Sequence, residues 1–217
     1  DDATEKMLAA EFGGSVHYHR NHPPTGMVEN WNILLDRADG DWVVWLHDDD
    51  YFLDGAIGLL TAAARDAGDH LFQAFSAQAV DENCIPLQRG GRHTDTFLPP
   101  AGAVRALLRH SSFIRFPSVM VARSAALEAG GFSPDWGNLA DLDMWCRLAA
   151  RYGLRTHRDT TVAYTIHKDQ ATFAMFNACT LEAVKRIGER PEVLQLAGPA
   201  GLSEDRSVFF WRFILGG

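Results

Sequence analysis

Apolar and polar positions along the chain follow two periodicities in turn, one helical and one strand-like. Apolar residues at helical spacing predict helices over residues 3–12, 27–38, 54–67, 103–109, 124–129, 140–152 and 173–187. Short apolar or alternating runs predict strands over residues 16–19, 42–46, 71–80, 118–122 and 161–166. The segment 88–102 is predicted to be a loop, because it is rich in glycine and proline. Strands that alternate with helices are typical of an α/β fold with a largely parallel sheet.

The strand predicted over residues 42–46 is apolar throughout, which is typical of a strand buried on both faces. The polar residues 47–50 follow at its carboxyl end, where α/β sheets bind ligands. Successive residues of an extended segment point to opposite sides, so Asp48 and Asp50 are expected to face one site. Two carboxylates suit a hard divalent cation, Mn²⁺ or Mg²⁺, which also binds a diphosphate. A solvated acidic turn that caps the next helix is the alternative.

Two further polar groups stand at the ends of predicted elements. Asp141 and Asp143 begin the helix over residues 140–152, where they either complement the helix dipole or supply a general base. His167 follows the strand over residues 161–166 and is either a metal ligand or an ordinary loop residue. Trp136, in the loop before Asp141, is a candidate for stacking on a sugar ring.

Composition narrows the class of protein. A net charge of −8 disfavours a nucleic-acid partner, since such proteins usually present a basic face. The three cysteines are not at zinc-ligand spacing and are expected to be reduced, mostly buried thiols of a cytoplasmic protein. No apolar run reaches the roughly 18–20 residues that a membrane span needs. The aromatic stretch 208–213 is expected to dock on the domain, to form a homodimer contact or to touch a membrane surface, in that order.

The ordered set of these motifs resembles the family 2 glycosyltransferases, which have the GT-A fold. The matching stretches cover most of the chain and are residues 21–32, 38–57, 117–132, 140–148 and 167–172. The resemblance implies that Asp48 and Asp50 hold the metal ion and that His167 completes its site. It also implies that Asp141 is the catalytic base, although Ala140 replaces the glutamate that precedes this residue in the family.

The resemblance also implies which residues contact the nucleotide-sugar donor. Asp1 and Asp2 resemble a turn that binds the nucleotide, Asn30 lies in a matching stretch, and Asp48 and Asp49 would meet the diphosphate. Family members begin with a further strand, loop and helix, so this chain is expected to be incomplete at its N-terminus.

The residues 1–217 are expected to form a single domain, since no repeat or linker divides them. Residues 1–80 would hold the nucleotide and metal, residues 81–190 the acceptor and catalytic part, and residues 191–217 a tail. The implied function is metal-dependent, inverting transfer of a sugar from a nucleoside-diphosphate sugar to a hydroxyl of a saccharide, a lipid-linked acceptor or another molecule. Two alternatives stay open: a sugar-phosphate nucleotidyltransferase, and an inactive sugar- or nucleotide-binding module, which Ala140 favours.

Overall fold

The computed structural model describes residues 3–110, 113–167 and 178–197. Its helices are α1 (Ala3–Phe12), α2 (Met27–Arg37), α3 (Ala56–Arg65), α4 (Pro100–Arg109), α5 (Arg123–Glu128), α6 (Ala140–Tyr152), α7 (Ala178–Gly188) and α8 (Pro191–Ala197). Its strands are β1 (Trp42–Val43), β2 (Tyr51–Phe52), β3 (Phe72–Val80), β4 (Pro86–Gly91), β5 (Thr96–Leu98), β6 (Val119–Ala122) and β7 (Leu154–Thr165). Two 3₁₀ turns, Phe116–Ser118 and Pro134–Leu139, precede β6 and α6. The predicted α/β class is confirmed.

The strands form one curled sheet in the order β1-β6-β3-β7-β2, with β4 beside β3 and β5 beside β7. Among the described strands β3 and β7 pair in parallel, whereas the other pairings are antiparallel. The expectation of a largely parallel sheet is therefore corrected to a mixed one. One physical reason is a tight turn after β3, where the Asp81 carboxylate accepts the N–H groups of Asn83 and Ile85 over 2.9 and 2.8 Å. This turn returns the chain directly beside β3 without a crossover helix.

Three local predictions are wrong because strand pairing is not visible in the local pattern. The strand predicted over residues 42–46 extends only over Trp42–Val43, and Leu46 is exposed. The segment 88–102, predicted as a loop, contains the end of β4, all of β5 and the start of α4. The segment 16–19, predicted as a strand, has no strand assignment, and its residues are exposed. An alternating run forms a strand only where a neighbouring strand accepts its hydrogen bonds, and the sequence pattern does not show that neighbour.

The main hydrophobic core lies between the sheet and helices α2, α4 and α6. Six aromatic side chains form its centre, namely Trp31, Trp45, Phe72, Phe116, Phe132 and Trp145, and each is at most 9% exposed. Their rings meet in tilted, stacked and edge-on contacts with centroids between 4.6 and 6.3 Å apart. Burying one such side chain contributes about 1.5–3 kcal/mol, so this cluster is a rigid base for the residues around it.

A pair of hydrogen bonds fastens α2 to the loop that leads towards α6. The Asn32 side chain donates to the carbonyl of Phe132 and accepts its N–H, both over 2.8 Å. The preceding Gly131 has φ +65°, and a Cβ there would lie 2.6 Å from Asn32 Oδ1. Arg147 of α6 donates to the carbonyls of Ala129 and Gly131. The Gly-Gly-Phe sequence is therefore needed for this close approach, which sets the position of the first turn of α6.

The described helices and cysteines bear on two further predictions. Within the described residues, no helix has the length and apolarity to cross a membrane. Cys146 is buried as expected, whereas Cys84 is exposed, so the prediction of buried thiols is corrected at that position. The aromatic stretch 208–213 and Cys179 lie outside the residues whose side chains the structure describes.

Candidate functional site

The polar turn between β1 and β2 meets the end of β7. β2 pairs with β7 in the register Tyr51 opposite Ala163, which carries Thr165 to the side of the turn. The backbone N–H of Thr165 donates to Asp50 Oδ1 over 2.9 Å, and its hydroxyl donates to the Asp49 carbonyl. Residues that lie more than a hundred positions apart in sequence are thereby brought into one site.

Asp50 is a buried carboxylate with one unsatisfied oxygen. It is 7% exposed, and Oδ2 has no hydrogen-bond partner in the described part of the chain. Burial is the main reason why the pKa of Asp50 is raised to about 6. The hydrogen bond from Thr165 lowers this pKa, whereas the neighbouring charges of Asp49 and Asp48 raise it. A buried carboxylate oxygen without a partner is costly unless a cation meets it. A cation at this place would satisfy the oxygen.

His47 presents its ring to the same point. The imidazole stacks on Phe116, with ring centroids 4.6 Å apart, and lies beside Trp31 at 5.8 Å, with an interplanar angle of 18° to each. Its Nδ1 lies 3.9 Å from Asp50 Oδ2, and its buried Nε2 has no partner among the described residues. Burial lowers the pKa of His47, which favours the neutral imidazole that metal ions bind.

Three donor atoms, one each from His47, Asp49 and Asp50, lie within 4.8 Å of one another. We call these three residues the ion group. One ring nitrogen and two carboxylates are a ligand set that divalent ions accept. His167 lies beside the group, with Nε2 2.9 Å from Asp49 Oδ2. The residues present therefore fit a divalent ion, with His167 placed to orient the Asp49 carboxylate.

The ion group overlaps with the predicted metal ligands but is not identical to them. Asp50 belongs to it, and His167 is in contact with it, as expected. Asp48 is exposed and lies outside the group, whereas Asp49, expected at the diphosphate, lies inside it. His47 was not predicted as a ligand, because its place in the group depends on a turn at Asp48 and Asp49 that the sequence pattern does not show.

Asp141 lies in the first turn of α6 and is partly buried. Burial raises its pKa to about 6, although the N–H of Leu142 donates to Oδ1 over 2.7 Å and opposes this. Such a carboxyl is ionised at neutral pH and still basic enough to accept a proton. One turn later on α6, Trp145 packs 5.8 Å from Phe116, the ring that stacks on His47. The start of α6 and the ion group therefore rest on the same aromatic cluster.

Asp143 has a structural environment. It is fully buried, and Arg147 Nε donates to Oδ2 over 3.0 Å while Arg190 Nε donates to Oδ1 over 2.5 Å. The guanidinium groups of Arg190 and Arg186 lie 5.3 and 4.8 Å from the ring centroid of Trp136. These contacts hold α7 against the 3₁₀ turn before α6, and they hold the segment before α8 against α6. Sugar stacking by Trp136 stays a prediction, and two cations lie over its ring.

Replacing Asp143 with asparagine is expected to destabilise the fold by about 3–5 kcal/mol, because two largely buried guanidinium groups lose their counter-charge. The free energy of unfolding in urea measures this loss. The matched control is Arg151→Met, which breaks the exposed ion pair with Glu128 and should cost less than about 1 kcal/mol. Equal costs for the two variants would contradict the structural role of Asp143.

The structure describes only some of the predicted donor-binding residues. Asp1 and Asp2 lie outside the described residues. Asn30 is half-buried, and its Oδ1 accepts the Asn21 side-chain amide over 2.8 Å. The same amide lies 3.0 Å from the hydroxyl of Thr25. Asn30 therefore supports the loop that precedes α2, and its contact with a donor stays a prediction.

The mixed sheet, the ion group just before β2 and the carboxyl at the start of α6 define a GT-A-type fold of the nucleotide-sugar transferase kind. The family model described as glycosyl transferase family 2 matches residues 1–127, and the chain belongs to this family. A crystal structure of S. aureus TarS 1–349 is similar in fold, with a TM-score of 0.65 and 14% identity over 99% of this chain and 60% of that one.

A sequence relative adds little about function. The uncharacterized protein MT1568 of Mycobacterium tuberculosis (strain CDC 1551 / Oshkosh) is 34% identical over 143 residues. The match covers 61% of this chain and 44% of that protein. The chain therefore matches less than half the length of this curated relative.

Proposed function

We propose that this chain transfers a glycosyl group from a nucleoside-diphosphate sugar to an acceptor hydroxyl, with inversion at the anomeric carbon and with the help of Mn²⁺ or Mg²⁺. The observation that carries the proposal is the ion group, above all the buried and unpartnered Oδ2 of Asp50. Membership of glycosyl transferase family 2 supports the transferase class. The acceptor would be a saccharide, a lipid-linked molecule or another hydroxyl compound.

The ion group supplies the electrostatic part of the proposed reaction. His47, Asp49 and Asp50 would hold the ion, and Thr165 and His167 keep the two carboxylates in place through their hydrogen bonds. A bound divalent ion would neutralise the charge that develops on the departing diphosphate.

Asp141 would supply the proton transfer. Its carboxylate would accept the proton of the acceptor hydroxyl while the oxygen forms a bond to the anomeric carbon. The bond from that carbon to the diphosphate oxygen breaks at the same time, and its electron pair leaves with the nucleoside diphosphate. Attack opposite the leaving group inverts the anomeric centre. Ala140, where the family carries glutamate, is fully buried here and serves the core.

The test is an assay of the full-length protein with a panel of nucleoside-diphosphate sugars and Mn²⁺, in which release of the nucleoside diphosphate and labelling of an added acceptor are measured. Release that depends on both donor and metal supports the proposal. Pyrophosphate release from a nucleoside triphosphate and a sugar phosphate would instead support the nucleotidyltransferase. Metal-dependent binding of a nucleoside diphosphate without any turnover would support the inactive module.

Several finer expectations belong to the same proposal. A single domain, the functional division of the chain at residues 80 and 190, and a cytoplasmic location stay predictions. A homodimer or a peripheral membrane contact through residues 208–213 would involve residues that the structure does not describe. None of them is needed for the chemistry at the ion group.

A further inference from the structure

The ion group contains a ring nitrogen that packs against the aromatic core. The His47 imidazole stacks on Phe116 and lies nearly parallel to Trp31, while part of the ring faces solvent. Phe116 and Trp31 are themselves buried, at 9% and 6% exposure. These contacts favour the rotamer that directs the ring towards the two carboxylates.

The spacing of the donor atoms fits a shared ion better than a direct contact. His47 Nδ1 and Asp50 Oδ2 are 3.9 Å apart, which is too long for a hydrogen bond. Two ligand atoms that each lie about 2.0–2.2 Å from one ion are separated by up to about 4.3 Å. The separation observed therefore leaves room for an ion between the ring and the carboxylate.

A second observation points to the same ion independently of the spacing. Asp50 Oδ2 is buried and has no hydrogen-bond partner in the part of the chain that the structure describes, while Oδ1 is satisfied by Thr165. The carboxylate thus presents one oxygen to the backbone and one towards His47. An acidic turn that only met solvent would not bury this side chain.

We propose that His47 makes the ion group a mixed nitrogen–oxygen site that selects Mn²⁺ and later first-row ions such as Co²⁺ over Mg²⁺. Mg²⁺ strongly prefers oxygen ligands in regular octahedral geometry, whereas an imidazole nitrogen adds affinity for transition metals. The inference rests on the proposed function for the location of the ion, and it adds which ion is accepted and which residue decides this. Replacing the nitrogen by a carboxylate oxygen would convert the group into a site that Mg²⁺ also fits.

The test compares ion binding by the wild type, His47→Asp and a matched control, without any donor. Asp54→Asn is the control because Asp54 is exposed and lies outside the ion group. Mn²⁺ binding is measured by the loss of the free-ion electron paramagnetic resonance signal, and Mg²⁺ binding by its competition with Mn²⁺. His47→Asp should reduce the preference for Mn²⁺ over Mg²⁺ at least about tenfold, and the control should leave it within about twofold. An unchanged preference in His47→Asp would overturn the inference.

Pulsed electron paramagnetic resonance of bound Mn²⁺ identifies the nitrogen ligand directly. Modulation from an imidazole nitrogen is expected in the wild type and in Asp54→Asn, and it should be lost in His47→Asn, a second variant in case His47→Asp does not fold. Modulation that persists in His47→Asn and disappears in His167→Asn would overturn the assignment to His47. Ion binding is measured without a donor, so the two proposals can fail separately. If the wild type prefers Mn²⁺ as expected but transfers no sugar, only the proposed function is contradicted. If the wild type transfers sugar equally well with Mg²⁺ and Mn²⁺ and His47→Asp leaves the ion preference unchanged, only this inference is contradicted.

Discussion

Replacing Asp50 with asparagine is expected to lower glycosyl transfer at least about 100-fold at saturating Mn²⁺. Oδ2 of Asp50 is the buried oxygen that faces the ion group, and the substitution removes its charge. Asparagine keeps an oxygen for the N–H of Thr165, so the turn should stay folded. The kcat/KM for donor and the Kd for Mn²⁺ should worsen together, because one lost ligand explains both.

The matched control for this prediction is again Asp54→Asn, the same chemical change at an exposed position a few residues later. It should retain kcat/KM within about twofold, since surface substitutions away from a site have small effects. Circular dichroism and thermal unfolding of both variants confirm that the folded state is compared. Near-normal transfer by Asp50→Asn with metal present would show that the ion group is not the working metal site.

Replacing Asp141 with asparagine is expected to lower kcat by about 10²–10⁴, the usual contribution of a general base. The same variant should gain stability at pH 8, because burial holds the pKa of Asp141 at about 6, above its ordinary 3.8. The folded state therefore binds the proton more tightly, and the wild type loses stability as pH rises from about 4 to about 6. The gain is on the order of 1–2 kcal/mol, because the side chain is only partly buried.

Two measurements check this prediction. Urea unfolding should show the gain of Asp141→Asn at pH 8 and its absence near pH 3, below both pKa values, where the carboxyl is mostly protonated in both states. The kcat/KM of the wild type should rise with pH through about 6 with the slope of one proton, since the base must be ionised. A variant that keeps kcat within about threefold would assign the base to another residue, whatever its stability.

The sequence was sufficient to predict the class of fold and the part of the chain that contains the site. An apolar run followed directly by polar residues predicts a buried strand that ends at a ligand site. The strand itself extends only over Trp42–Val43, and Leu46 at the end of the run is exposed. Apolar periodicity also predicts core positions for Trp31, Trp42, Trp45 and Trp145. Three of them are buried, whereas Trp42 is half-buried. These predictions depend on local pattern alone.

The composition of the ion group could not be predicted in the same way. The segment was expected to be extended, so that Asp48 and Asp50 would share a side, but a turn at Asp48 and Asp49 breaks that alternation. The group is completed by long-range contacts: Phe116 stacks on His47, and β7 brings Thr165 beside the turn. Local spacing contains no information about either contact.

The roles of the two carboxylates in α6 separate for a similar reason. From sequence, Asp141 and Asp143 were equally placed to interact with the helix dipole or to act as bases. Arg147, four residues after Asp143, was a visible partner, but Arg190 reaches the same carboxylate from 47 residues away. Only the packing of α6 against Arg190, which follows α7, shows that the charge of Asp143 is neutralised. The groups that shift the pKa of Asp141 include no cation.

The central claim, that separate parts of the chain converge on one ion, is tested most directly by anomalous diffraction at the manganese edge from crystals soaked in Mn²⁺. The account predicts one strong peak within about 2.0–2.4 Å of a His47 ring nitrogen and of carboxylate oxygens of Asp49 and Asp50. A manganese peak elsewhere in the chain, with this turn empty at a concentration that saturates binding in solution, would contradict it.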